Sequence, residues 1–162
     1  MGLRIQVGQR LPEVTLARAN GLSLERVDLL PLLQGRRVVL VGLPGAFTPV
    51  CTGHHIPELK AHAASLKASG YQEIICIAPN SPWAVKAWAD CTDPEGQLTF
   101  LSDGNLELAR ATGLAAHAPR LFLGSCSARY AMIVDRAVIQ KLAVEADIDA
   151  LSCTRPGLFA EI

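Results

Sequence analysis

The chain has 162 residues, half of them hydrophobic, with 15 basic and 15 acidic side chains and no formal net charge. That length suits one domain over residues 1–162 with a sizeable core, and the lack of a basic block argues against nucleic acid or an anionic membrane as the main partner. No apolar stretch approaches the roughly 20 residues that span a bilayer, and the opening MGLRIQVGQR lacks the apolar core of a secretory signal.

The first clear element is RRVVLVGLP (36–44), a continuous apolar run that ends at Pro-Gly and predicts a buried strand. Helical periodicity resumes near Pro49: Thr48 suits the N-cap and Pro49 the first helical position, so Cys51 falls third in the helix, inside its first turn. IPELKAHAASLKASG (56–70) sets Leu59, Ala63 and Leu66 at helical spacing and stops at Gly70. QEIICIAPN (72–80) predicts a second buried strand. SPWAVKAWAD (81–90) opens with Ser-Pro and predicts a helix on which Trp83 and Trp88 supply core and rim packing, neither place assigned to either residue. LTFLSDG (98–104) predicts a short strand and NLELARATG (105–113) a helix closed by Gly113. His117 sits in a loop-like AAHAPR. Residues 127–145 read as two strands joined by a turn at Asp135-Arg136, and DIDALSC (147–153) as a last helix. Asp93, Glu95, Asp147 and Asp149 read as solvated loop charges. The order β-α-β-α-β-α-β-β-α predicts an α/β fold with a mixed central sheet flanked by helices, parallel in its early crossovers and antiparallel in its late hairpin.

The five cysteines, Cys51, Cys76, Cys91, Cys126 and Cys153, are odd in number and widely spaced, with no CxxC. That pattern argues against a disulfide framework and for reactive thiols in a reducing compartment, hence a cytoplasmic location. A mitochondrial or other organellar location stays open if a transit peptide was removed. In the first turn of a helix, unpaired N–H groups and the positive helix end favour a thiolate, the nucleophilic form, at Cys51. The competing reading is a small buried hydrophobe. Cys51, His54 and His55 lie close together, yet no second ligand pair at zinc spacing accompanies them, so no metal site is expected.

The stretch PGAFTPVC (44–51) resembles the active-site motif of the peroxiredoxins, P-x-x-x-T-x-x-C, and GLPGAFTPVCTGHHIP resembles their type II (peroxiredoxin V, atypical two-cysteine) subfamily. The likeness spans nearly the whole chain. VGQRLPEV is similar to the family's N-terminal strand, EIICIAPNSPWAVKAWAD and FLSDGNLELARATGL to the middle of plant and bacterial members, SARYAMIVD to the arginine-bearing segment, and VEADIDALSC to the tail of animal members.

The resemblance implies a thioredoxin-like fold and a thiol-dependent peroxidase that reduces hydrogen peroxide, small organic hydroperoxides and, within the same chemistry, peroxynitrite. Cys51 matches the peroxidatic cysteine, Thr48 the threonine that holds the peroxide, Pro44 the shielding proline and Arg129 the catalytic arginine. Cys126 stands where the family pattern carries an earlier arginine. Breaking an O–O bond needs in-line thiolate attack with charge developing on the leaving oxygen. The Thr48 hydroxyl, the Cys51 N–H and the Arg129 guanidinium are expected to donate to the two oxygens. The product is a sulfenic acid, and no metal or organic cofactor is required.

Cys153 matches the resolving cysteine of animal members. Cys76 reads as a core cysteine, but plant-type members carry one at that place, which keeps it as the alternative. Cys91 reads as exposed and incidental, and Cys126 has no assigned role. The resemblance further implies thioredoxin or glutaredoxin/glutathione as reductant and a homodimer packed through the active-site loops. The alternative function is a redox-sensing signalling or binding protein in which oxidation of Cys51 switches a partner contact.

Overall fold

A computed structural model describes residues 2–159. It opens with a hairpin of β1 (Thr15–Asn20) and β2 (Ser23–Asp28), whose loop starts at Gly21, φ +61°, a conformation open to glycine. This hairpin has no counterpart in the expected element order, although Asn-Gly between alternating residues is a strong turn signal. The expected strand in VGQRLPEV reduces to one bridge, Arg10 to Val138. Helix α1 (Leu29–Leu33) leads into β3 (Arg37–Gly42). A helix then begins at residue 49, widens into a π turn over Cys51–His55 and continues as α2 (Ile56–Ala68).

The remaining elements are β4 (Glu73–Ala78), α3 (Pro82–Thr92), β5 (Thr99–Ser102), α4 (Glu107–Ala111), β6 (Ala115–Ala118), β7 (Gly124–Ser127), β8 (Tyr130–Asp135), β9 (Val138–Val144) and α5 (Pro156–Phe159). Seven strands form one mixed sheet in the order β2-β1-β5-β4-β3-β8-β9. β3, β4 and β5 are parallel, while β1 and β8 border them antiparallel. β6 and β7 pair separately, so His117 lies in a strand where a loop was expected.

Alternation along β3 explains the layering. Val39 and Val41 face α2 and α3, meeting Leu59, Leu66 and Trp88. Val38 and Leu40 face the other way, onto Leu29 and Leu33 of α1 and Leu108 of α4. A sheet buried on both faces needs such unbroken apolar strands. Of the two tryptophans, Trp88 is the core residue, fully buried, and Trp83 the rim residue, 48% exposed. Asp93 departs from expectation: it is buried, and its carboxylate accepts from the N–H groups of Gln97 and Leu98.

No helix forms over 147–153; residues 145–155 run through bends and turns, and α5 starts at Pro156. The physical reason is Glu145. Its carboxylate accepts from the backbone N–H of Ser152 (2.7 Å) and of Thr154 (2.9 Å), donors that a helix would need for itself.

Candidate active site

The strand-to-helix junction after β3 places the motif. Leu43 N–H is still held by Ile77 O of β4 (2.9 Å), after which Pro44 and Gly45 turn the chain. The helix starts at residue 49, so Cys51 is third in it, as expected. Thr48 occupies the N-cap position by backbone, its carbonyl accepting from Thr52 N–H at 2.9 Å. Its hydroxyl does not cap. It donates instead to Gly45 O at 2.7 Å. With that proton directed to Gly45 O, Thr48 has its oxygen lone pairs left to offer.

The π turn sets the side chains that follow. Ile56 N–H reaches back five residues to Cys51 O, and such a bulge re-aims side chains within a helix, often at functional sites. Here it brings both Cys51 and His55 to the interior, each 0% exposed. The Cys51 N–H, in the first turn, has no intrahelical acceptor. The turn is braced from α3, where Trp88 Nε1 donates to Thr52 Oγ1 at 3.1 Å and the indole packs edge-on against Phe100.

Arg129 arrives from the neighbouring strand, one residue before β8, which pairs with β3. It is 2% exposed, and every contact of its guanidinium is directed. Nη2 donates to Cys51 Sγ at 3.3 Å and to Ile148 O at 2.9 Å, Nε donates to Ile148 O at 3.1 Å, and Nη1 donates to His55 Nδ1 at 3.0 Å. Among the described residues no carboxylate pairs with it. A buried cation without an anionic partner is costly, and the group it faces that can become an anion is the Cys51 thiol.

His55 was weighed in the sequence only as a metal ligand; its geometry is different. Arginine has no acceptor atom, so the 3.0 Å contact requires Nδ1 to accept and the ring proton to sit on Nε2. Burial first, and the neighbouring Arg129 charge second, hold the imidazole at about 4, well below its ordinary range. A neutral His55 thus orients Arg129. Its signal in the sequence was only its spacing, four residues after Cys51. No group of three or more His, Cys, Asp or Glu side chains arranged to hold a metal occurs among the described residues.

Above Arg129 lies a cavity of about 380 Å³ walled by Pro44, Thr48, Pro49, Leu121, Leu123 and Ile148. Cys51 lies behind Arg129 rather than on its wall. Pro44, Thr48, Cys51 and Arg129 are therefore brought together. The other thiols are not. Cys76 is buried on β4 beneath the same core, where burial first and the Asp93 charge second push its thiol far up. Cys126 is buried on β7, while Cys91 and Cys153 are exposed. All five thiols are free.

Comparison with known proteins agrees with this geometry. The Redoxin family model matches residues 6–162. A chloroplastic peroxiredoxin-2E-2 from Oryza sativa subsp. japonica is 37% identical over 147 residues, covering 87% of this chain, which spans 65% of that protein's length. Peroxiredoxin-2C from the same plant is 34% identical over 142 residues, covering 87% of this chain and 88% of its own. The chain belongs to the peroxiredoxins. Its likeness is to the type II members, which include a mitochondrial peroxiredoxin-2F from Arabidopsis thaliana, 32% identical over 140 residues, covering 83% of this chain and 70% of its own. A crystal structure of reduced Prx3 from Vibrio vulnificus in complex with hydrogen peroxide superposes with a TM-score of 0.90 at 34% identity, covering 97% of this chain and 94% of its own. As a peroxiredoxin the protein is a thiol-dependent peroxidase with a thioredoxin-like fold, acting on a peroxide at the expense of a thiol reductant.

Proposed function

We propose that Cys51 is the peroxidatic nucleophile of a single-domain enzyme, residues 1–162, that reduces hydrogen peroxide and small organic hydroperoxides. The 3.3 Å contact between Arg129 Nη2 and Cys51 Sγ carries this reading. The Cys51 thiolate attacks one peroxide oxygen in line and the O–O bond breaks. The electron pair leaves with the second oxygen, which takes a proton and departs as water or an alcohol. Cys51 is left as a sulfenic acid. Arg129 donates to the oxygens as charge moves from sulfur to the leaving group, Thr48 Oγ1 accepts from the peroxide O–H, and Pro44 shields the thiolate from water. The apolar cavity walls Leu121, Leu123 and Ile148 suit a small alkyl group.

Cys153 is the resolving cysteine in this reading. Its segment has no regular secondary structure and begins beside Ile148, which Arg129 holds. Cys76, the alternative, lies 1% exposed within a strand, so joining it to Cys51 would break the core. Thioredoxin then reduces the disulfide. The exposed Phe47 and Phe122, 55% and 97% accessible on loops flanking the cavity, support pairing with a second copy as a homodimer. The compartment proposed is the cytoplasm.

The test is peroxide-dependent oxidation of reduced thioredoxin by the purified protein. Cys51→Ser should abolish turnover and Cys91→Ser should leave it nearly unchanged. Comparable turnover in Cys51→Ser would refute the nucleophile assignment.

A further inference from the structure

Glu145 is a buried carboxylate, 7% exposed, that the peroxide chemistry does not use. It directly follows β9, and its own N–H is held by Arg129 O at 2.9 Å. Its two oxygens collect four bonds, all from the residues on either side of Cys153. Ser152 donates its N–H to Oε1 and its hydroxyl to Oε2, both at 2.7 Å. Thr154 donates its N–H at 2.9 Å and its hydroxyl at 2.8 Å, both to Oε1. Burial alone would push this carboxyl up, yet the bonds from Ser152 and Thr154 outweigh it and hold it at about 2, ionised at any working pH. Cys153, between the two donors, is exposed and points its sulfur at Val144 O, 3.5 Å away, whereas Cys51 is fully buried behind Arg129.

We propose that Glu145 is a latch: it holds residues 152–154 in the reduced enzyme and sets the rate at which Cys153 reaches the oxidised Cys51. This rests on Cys153 being the resolving cysteine. A disulfide needs the two Cα atoms within roughly 7 Å, and the attacking sulfur must turn from the surface towards the Arg129 pocket. The bonds to Glu145 must open first, and charge-assisted bonds are the strong ones. Once they open, the Cys153 thiolate attacks the sulfenic sulfur of Cys51. The S–O bond breaks, and the departing hydroxide takes the proton Cys153 released and leaves as water. A tight latch prolongs the life of the sulfenic acid, and with it the chance that a second peroxide carries Cys51 on to the sulfinic acid. Glu145 thus acts as a positioning residue that tunes resistance to overoxidation.

The experiment compares the parent protein with Glu145→Gln, which keeps the shape and removes the charge. Stopped flow follows sulfenic acid formation and then disulfide formation; mass spectrometry maps the disulfide and counts sulfinic acid. The latch predicts disulfide formation about tenfold faster in Glu145→Gln, matching the difference between charged and neutral hydrogen bonds, with less sulfinic acid at a given peroxide dose and an unaltered rate of sulfenic acid formation. A merely structural role would lower thermal stability without changing that partition. Ser152→Ala with Thr154→Val removes both hydroxyl donors from the other side, should act in the same direction, and serves if Glu145→Gln folds poorly. An unchanged or slower Cys51–Cys153 disulfide in both variants overturns the latch. Absence of that disulfide in the parent, with Cys51 bonded to Cys76 or to an external thiol, overturns instead the resolving assignment beneath it.

Discussion

Replacing Arg129 separates the effect of charge from that of the fork. The guanidinium makes four contacts at once, to Cys51 Sγ, to His55 Nδ1 and twice to Ile148 O. Arg129→Lys keeps a positive charge, but its single nitrogen cannot serve these partners together, and its shorter stem leaves it about 1.5 Å short. With an effective dielectric constant of about 20, a unit positive charge 3.3 Å from the negative charge of the reacting atoms contributes about 5 kcal/mol, and one at roughly 5 Å about 3.3 kcal/mol. The difference of about 1.7 kcal/mol predicts peroxide attack about 20-fold slower. Arg129→Met loses the charge and the preorganised donor together and should lose about 10²- to 10³-fold. Trp88 supplies the assay: its Nε1 bonds to Thr52, next to Cys51, so oxidation and opening of that turn should change its fluorescence in stopped flow. Arg129→Met reacting within about twofold of the parent would refute the electrostatic reasoning. Arg129→Lys reacting as slowly as Arg129→Met would show that the fork, not the charge, carries the effect.

Acid should destabilise the protein through His55. Its folded-state value of about 4 lies below the ordinary 6.5, so the unfolded chain takes up a proton first. The stability associated with a neutral His55 is full above about pH 6.5 and is lost as pH falls towards 4, by roughly 3 kcal/mol across that window. Urea midpoints at pH 7 and pH 4.5 measure this, and a His55→Gln variant as pH-sensitive as the parent would place the effect elsewhere. Gly42→Ala should be strongly destabilising, because a Cβ there would stand 2.0 Å from Tyr130 Cε1. Overpacking of this kind costs about 1–3 kcal/mol or more. An unchanged melting temperature would contradict the tight crossing of β3 and β8.

Elements with a local cause were legible in the chain itself. The unbroken Val-rich run made β3, Ser-Pro opened α3, with Ser81 Oγ accepting from Ala84 N–H, and Thr-Pro placed Cys51 in a first helical turn. Those signals act over a few residues, so sequence order suffices to carry them. The β1–β2 hairpin was equally local and was missed because its outer strand is exposed along most of its length and shows little apolar patterning. The rest depended on residues far apart in the chain. Arg129 and Cys51 are separated by 78 positions and meet only because β8 docks antiparallel on β3. Residues 147–153 read as a helix, yet the Glu145 carboxylate takes the amide protons of Ser152 and Thr154, and a side chain buried just after β9 overrides the local preference. The same packing turned the Thr48 hydroxyl to Gly45 and made His55 a neutral partner of Arg129 instead of a metal ligand. Residue types decided which chemistry was available. Burial and the sheet register decided which groups meet, because a hydrogen bond's direction and a charge's environment exist only once distant strands are side by side.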